Sequence, residues 1–212
     1  MGDIFNLDNK FFQTLGKGVD CVCLSLLWMI CCIPLAFGIP CIVLAVPAGI
    51  ATTALYYAVN KVIRHSRGYL WSSFWHSFKT NMKQGAFVTL VVAAAVVLVG
   101  LDGYIMYQFA KAGEKSGVLY VVFFVLMLVV IAWAIYVFPY MARFENSTKL
   151  ILKNSALMAI GNLPKTFMAL MFFLACCIGT YLLPVVAIIS PALGMLLLNY
   201  ILEGVFERYM SD

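Results

Sequence analysis

The sequence predicts an all-α integral membrane protein: one helical membrane domain over residues 1–212, with six transmembrane helices and short amphipathic interfacial helices. Three observations lead there. Hydrophobic residues make up 64% of the 212-residue chain and charged residues only 11%, against about 25% charged in soluble domains. So little charge leaves no polar coat for a water-facing surface. Several apolar runs reach the roughly 20 residues that a helix needs to cross a bilayer. The Lys and Arg residues collect in the segments between those runs, as they do on the cytoplasmic side of membrane proteins.

Residues 1–18 read as an interfacial helix. Phe5, Leu7, Phe11, Phe12 and Leu15 are its apolar members, Asp8 can cap it, and Gly16 and Gly18 allow a turn after it. A first span is expected over 19–39. The next stretch, 34–67, organises the chain. Pro34, Pro40 and Pro47 interrupt its first half, because proline breaks the helical ladder. A turn is expected at 40–47, and 48–64 returns as a second span. If that return fails, five spans remain. Residues 69–83 form a strongly amphipathic helix. Leu70, Trp71, Phe74, Trp75, Phe78 and Met82 lie on one side, with Ser73, His76, Ser77, Lys79, Thr80 and Lys83 opposite. Its tryptophans suit the headgroup layer. Spans follow at 85–110 and 118–141, joined by a short loop at 111–117. The basic segment 142–165 holds a helix over 147–160, with Ser147 or Thr148 as its N-cap. The last spans are 166–189 and, restarting at Pro191, 192–209. Asn81-Met-Lys-Gln and Asn162-Leu-Pro-Lys each end a basic amphipathic helix and open a span, a faint internal repeat.

Charge orients these elements. With the leader, 61–84, 142–165 and the C-terminus on one side, twelve of the fourteen Lys and Arg residues lie together, and only Lys111 and Lys115 lie opposite. The positive-inside rule makes the first side cytoplasmic. Both termini are then cytoplasmic, and the location is the plasma membrane. The net charge of +5 follows from that bias, so no nucleic-acid partner is expected; the partner is the lipid bilayer. The leader has mixed charge and no small-residue cleavage pattern, so no signal peptide is expected. Cys21, Cys23, Cys31, Cys32, Cys41, Cys176 and Cys177 all sit in apolar runs without a CxxC pair. They read as small hydrophobes rather than disulfides or metal ligands. No cofactor or metal site is expected.

Two stretches carry a likeness to a known family. TTALYYAVNKVIRHSRGYLWSSFWHSFKTNMKQG (52–85) and YVFPYMARFENSTKLILKNSALMAIGNLPKTF (136–167) resemble the YesL family of bacterial membrane proteins. The Thr-Thr-Ala-Leu-Tyr segment, the Phe-Lys-x-Asn helix end and the Phe-Pro-x-x-Ala-Arg-Phe segment are the most distinctive pieces, and the likeness runs over nearly the whole chain. It implies a polytopic protein of Gram-positive bacteria, often associated with sugar-importing ABC systems. The family brings no established catalytic residues, so no site is carried over.

The polar residues inside apolar sequence are the ligand-binding candidates. Thr53, Tyr57, Asn60 and Arg64 recur at helical spacing, with Thr52 and Tyr56 beside them. Such a stripe avoids lipid, where an unpaired polar group is costly. Ala54 and Val62 are expected to look elsewhere. The stripe can line a pocket for hydroxyl-rich ligands or serve as inter-helix hydrogen bonding. Asp102 is an intramembrane carboxylate, a candidate site by default, or it reaches the outer headgroups near Lys111 and Lys115. Asn199 and Glu203 share a face of the last helix; Glu203 is either a polar contact inside the bundle or an interfacial acid near Arg208. His65 and His76 lack partners at metal-ligand spacing and read as surface residues.

These features bound the function. No phosphate loop, HExxH or nucleophile elbow occurs, so an enzyme is not expected. One expectation is an accessory or regulatory component of a carbohydrate ABC importer, docking through the amphipathic helices 69–83 and 147–160. Leu163-Pro164 is similar to a feature of ABC permeases, but the acidic-Ala-Ala start is missing. The other expectation is a stand-alone carrier or channel for a small sugar-like solute, using the proline-broken second helix.

The topology predicts a labelling pattern. In a cysteine-free variant, single cysteines at positions 67 and 149 resist an impermeant external reagent, whereas one within 112–117 reacts. External labelling at position 10 would leave the five-span arrangement.

Overall fold

Residues 10–36 and 45–210 are described by the computed structural model, and among them every regular element is a helix. In order these are α1 (Lys10–Ala36), α2 (Val46–Ala58), α3 (Leu70–Thr80), α4 (Met82–Lys111), α5 (Tyr120–Arg143), α6 (Thr148–Gly161), α7 (Leu163–Leu182) and α8 (Ser190–Met210). Short 3₁₀ turns, Lys115–Leu119 and Pro184–Ile188, lead into α5 and α8. Four segments are long and apolar enough to cross a membrane: Leu15–Ile33, Met82–Lys111, Lys115–Arg143 and Leu163–Leu182. α4, α5 and α7 turn broad apolar faces outward, with Leu98, Leu101, Phe124, Val129, Phe167 and Ile178 exposed. In lipid such faces need no cover, because the acyl chains are as apolar as they are.

Helix α2 lies at the centre, against α1, α3, α4, α5 and α8. It starts on Pro47 in its first turn, where the missing N–H is no loss. It then continues as a π-helix over Val59–Arg64. Gly49 lets it approach α4 closely: a Cβ there would run into the Thr89 side chain. Thr53 donates to the Gly49 carbonyl at 3.3 Å and Thr89 to the Gly85 carbonyl at 2.6 Å, so both hydroxyls are satisfied inside a tight crossing. α2 is buried nearly all round. Ala54, expected to look away from the interior, is fully covered along with Leu55 and Tyr56. The polar stripe is therefore not the mark of a one-sided helix.

Other expectations shift for local reasons. α1 continues through Gly16 and Gly18 with no turn, since glycine permits a turn without requiring one. Asp8, Phe5, Leu7 and the 40–44 part of the expected turn lie outside the described residues. α3 packs with Ser73, Phe74 and Ser77 buried and Trp71 exposed. Its inward face combines Phe74 of the apolar stripe with the small Ser73 and Ser77, and Leu70, Trp75 and Phe78 are partly buried against the core. Ser147 stands extended at the N-cap of α6 but makes no side-chain cap bond. α7 stops at Leu182, well short of 189, since Pro184 forces the residue before it out of helical geometry. Asn81 and Asn162 behave alike, as the repeat suggests. Each donates from its side-chain amide to the carbonyl four residues back, Ser77 at 3.0 Å and Met158 at 3.1 Å. Each breaks an amphipathic helix from the span that follows.

Gly49→Ala is expected to cost about 1–3 kcal/mol by overpacking the α2–α4 crossing. Gly16→Ala, in open space, should be neutral or gain up to about 1 kcal/mol of helix stability. Melting curves in mild detergent compare the two; equal effects would mean that the crossing is not tight.

Candidate functional site

The chemistry collects around one carboxylate. Glu203 of α8 is 2% exposed. Its Oε1 accepts from the Tyr56 hydroxyl at 2.9 Å and from Asn60 Nδ2 at 2.7 Å. Its Oε2 lies 3.4 Å from Arg143 Nε at the end of α5. Burying a carboxylate is costly unless it is paired and hydrogen-bonded, and here both oxygens are engaged. Phe206 packs edge-on against Tyr56, Tyr140 and Phe144 and closes the apolar side. One turn away, Arg64 donates to Asn199 Oδ1 at 2.8 Å and lies over the Tyr200 ring. Asn199 Nδ2 has no partner among the described residues.

The π-helical turn shapes what lies above. A widened turn of this kind is rare and recurs at functional sites. It leaves the Asn60 carbonyl receiving both the His65 N–H at 3.1 Å and the His65 ring at 2.8 Å. A carbonyl only accepts, so His65 Nδ1 carries the proton. The chain then turns sharply: Ser66 takes a left-handed φ of 52° and Gly68 a φ of 77°. For serine that conformation costs on the order of 1–2 kcal/mol. The result is a cleft of about 540 Å³ between the C-terminal ends of α2 and α5 and the outer side of α3. Tyr56 and Asn60 lie at its base, Tyr57, His76 and Phe144 form walls, and Lys61, Arg67 and Arg143 bring positive charge. Glu145 is the acid in the same lining.

The sequence-derived candidates divide. Tyr56, Tyr57 and Asn60 reach the cleft. Thr52 and Thr53 do not. Thr52 accepts from Trp28 Nε1 at 3.0 Å and donates to the Ala48 carbonyl at 2.8 Å, and Thr53 is spent on Gly49. Asn199 and Glu203 are buried supports behind the cleft. Asp102 is exposed on α4, about 30 Å along the helix from Asn81, and takes no part. Sequence reasoning missed Arg143, Lys61 and Arg67 as site residues, and it left His65 and His76 on the surface. Both histidines are exposed, yet they line the cleft together. A lone acid inside an apolar helix calls for a cation, and Arg143 at the end of a span was the signal. The described cysteines are free, and no cluster of three or more His, Cys, Asp or Glu residues forms among the described residues.

Residues 21–103 match the family model described as "Protein of unknown function, DUF624", a domain that YesL-type proteins carry. The matched stretch takes in most of α1, all of α2 and α3, and α4 as far as Gly103. No curated protein and no solved structure matches the chain.

Removing one member of the buried network should cost more than removing several. Glu203→Leu strands the Tyr56 hydroxyl, the Asn60 amide and Arg143, at a cost on the order of 3 kcal/mol. Tyr56→Phe leaves Glu203 with two partners and should cost about 1–2 kcal/mol. The triple change Glu203→Leu, Tyr56→Phe, Arg143→Met leaves fewer stranded groups and should recover part of the loss. Melting temperatures in mild detergent read all three; a triple variant weaker than Glu203→Leu would contradict the ordering.

Proposed function

We propose that this chain is a YesL-type polytopic protein of a bacterial plasma membrane, an accessory or regulatory component that works beside a carbohydrate ABC importer rather than a carrier itself. In this reading α2 with its π-helical extension, and α8, cross the membrane alongside the four apolar segments. That makes six spans with both termini cytoplasmic. The extended α2, residues 46–64, is about 28 Å long at 1.5 Å per residue, close to the hydrocarbon thickness of a bilayer.

One observation carries the choice between accessory and carrier. The polar groups of α2 are tied to protein partners: Thr52 to Trp28, Thr53 to Gly49, and Tyr56 and Asn60 to Glu203. A carrier needs polar groups that exchange protein partners for solute along the path, and these are already engaged. What faces outward is one water-accessible cleft and two helices suited to contact. α3 exposes Trp71, Lys79 and Thr80, and α6 exposes Lys149, Leu150, Lys153 and Leu157. Those helices cover most of 69–83 and 147–160, the surfaces proposed to meet importer subunits.

Two measurements test this. Affinity purification in mild detergent from a bacterial membrane is expected to recover importer permease subunits, and Lys149→Glu with Lys153→Glu should weaken that recovery. The purified chain alone in liposomes should take up no labelled sugar. Sugar uptake by the chain alone, or recovery without any importer subunit, would overturn the proposal.

A further inference from the structure

The cleft has a charge balance that the buried network does not use up. Lys61, Arg67, Arg143 and Glu145 line it; with Arg143 set against the buried Glu203, a surplus of one positive charge remains. Glu203 engages Arg143 only through Nε, and the terminal guanidinium nitrogens of Arg143 make no hydrogen bond among the described residues. Arg67 likewise makes no side-chain bond among the described residues. Lys61 makes only a long contact of 3.4 Å to the Tyr57 hydroxyl, with its ammonium over the Tyr57 ring. A strained left-handed Ser66 fixes the loop that carries Arg67, and strain of this kind gathers at ligand clamps.

We infer that this cleft is a binding site for a phosphate group on a small polar molecule, held by Arg67, Lys61 and the outer edge of Arg143. A phosphate ester carries negative charge at neutral pH and several acceptor oxygens, which suit the unengaged donors of Arg67, Lys61 and the outer side of Arg143. Guanidinium groups grip phosphate through paired donors. The volume of about 540 Å³ falls within the range of small-molecule pockets. Around the charged region, the Tyr57 ring, Ser77 and Thr80 offer stacking and hydroxyl groups to the rest of the molecule. The inference concerns the cleft alone and does not rest on the importer association. A phosphate of this kind can be soluble or belong to a lipid headgroup, since the cleft adjoins Trp71-bearing α3.

The test is direct titration of the purified full-length protein in neutral phosphatidylcholine nanodiscs. Glucose 6-phosphate is the probe, with glucose and inorganic phosphate as comparisons. Saturable binding of glucose 6-phosphate is expected, with competition from inorganic phosphate and none from glucose. Lys61→Gln and Arg67→Gln each alter an exposed side chain, so the fold should persist. Each should weaken binding about tenfold or more, the loss of one charge-assisted contact. Lys79→Gln, exposed but outside the lining, should change nothing, and added salt should weaken binding throughout. A second arm replaces part of the phosphatidylcholine with phosphatidylglycerol. If that lipid displaces glucose 6-phosphate, and Arg67→Gln abolishes the displacement, the phosphate site stands and its occupant is the headgroup. Absence of binding in both arms, or binding unchanged by Lys61→Gln and Arg67→Gln, would overturn the inference.

Discussion

The structure depends on keeping Glu203 paired and covered. A carboxylate that is 2% exposed in an apolar bundle must be met by donors or it destabilises everything packed around it. Those donors come from separate elements. Tyr56 and Asn60 bring the central helix and its π-helical extension to α8, and Arg143 brings the end of α5. The contact ties together residues more than 140 positions apart in sequence. Hydrophobic burial gives helices in a membrane little preference for one neighbour over another, since lipid is as apolar as a side chain. Directional polar contacts of this kind therefore do much to decide which helix packs where and at what rotation.

The same constraint explains which helices look like spans. α4, α5 and α7 turn broad apolar faces outward, so long runs of their sequences are apolar, and hydropathy finds them. α2 is covered by other helices nearly all round, and α8 on its inward face, with Leu193, Leu197 and Tyr200 exposed on the other. They can carry Thr52, Thr53, Asn60, Asn199 and Glu203 because protein supplies the partners. α2 also needs small residues, since Gly49 and Ala51 allow neighbours to pass closely.

Much of this was legible in the sequence. The helical class, the long apolar segments, the break at Asn81 and again at Asn162, and the polar stripe all follow from composition and spacing. So does the expectation that 34–67 organises the chain, because polar groups inside apolar sequence must find partners. The remainder depends on distance in three dimensions. Nothing local says that Asn60 meets Glu203 rather than Asp102, since both acids sit in apolar runs. The π-helical turn is a matter of one residue's register and leaves no mark in periodicity. In α3 the apolar stripe does mark the packed side, with Phe74 buried and Leu70, Trp75 and Phe78 against the core, but hydropathy does not show that Ser73 and Ser77 are buried beside it. Continuity of α1 through Gly16 and Gly18 shows that glycine permits a turn without requiring one.

Arg143 joins the buried network to the cleft. Its Nε is turned inward to Glu203, and its side chain is 40% exposed on the other side. The buried Glu203 needs a cation on this side, but the inward contact alone does not require that the cation be arginine. Lysine would supply the same charge, but as a single point. A guanidinium has several donors in one plane and can serve an inward and an outward acceptor together. Any anion that takes the outward donors then shares the same cation with Glu203. Binding in the cleft and packing of α8 against α2 are in that case linked, and the linkage runs equally in both directions. A change in how α8 sits would alter affinity in the cleft, and occupancy of the cleft would bias α8. That gives a physical route from the cleft to helix packing, through one side chain.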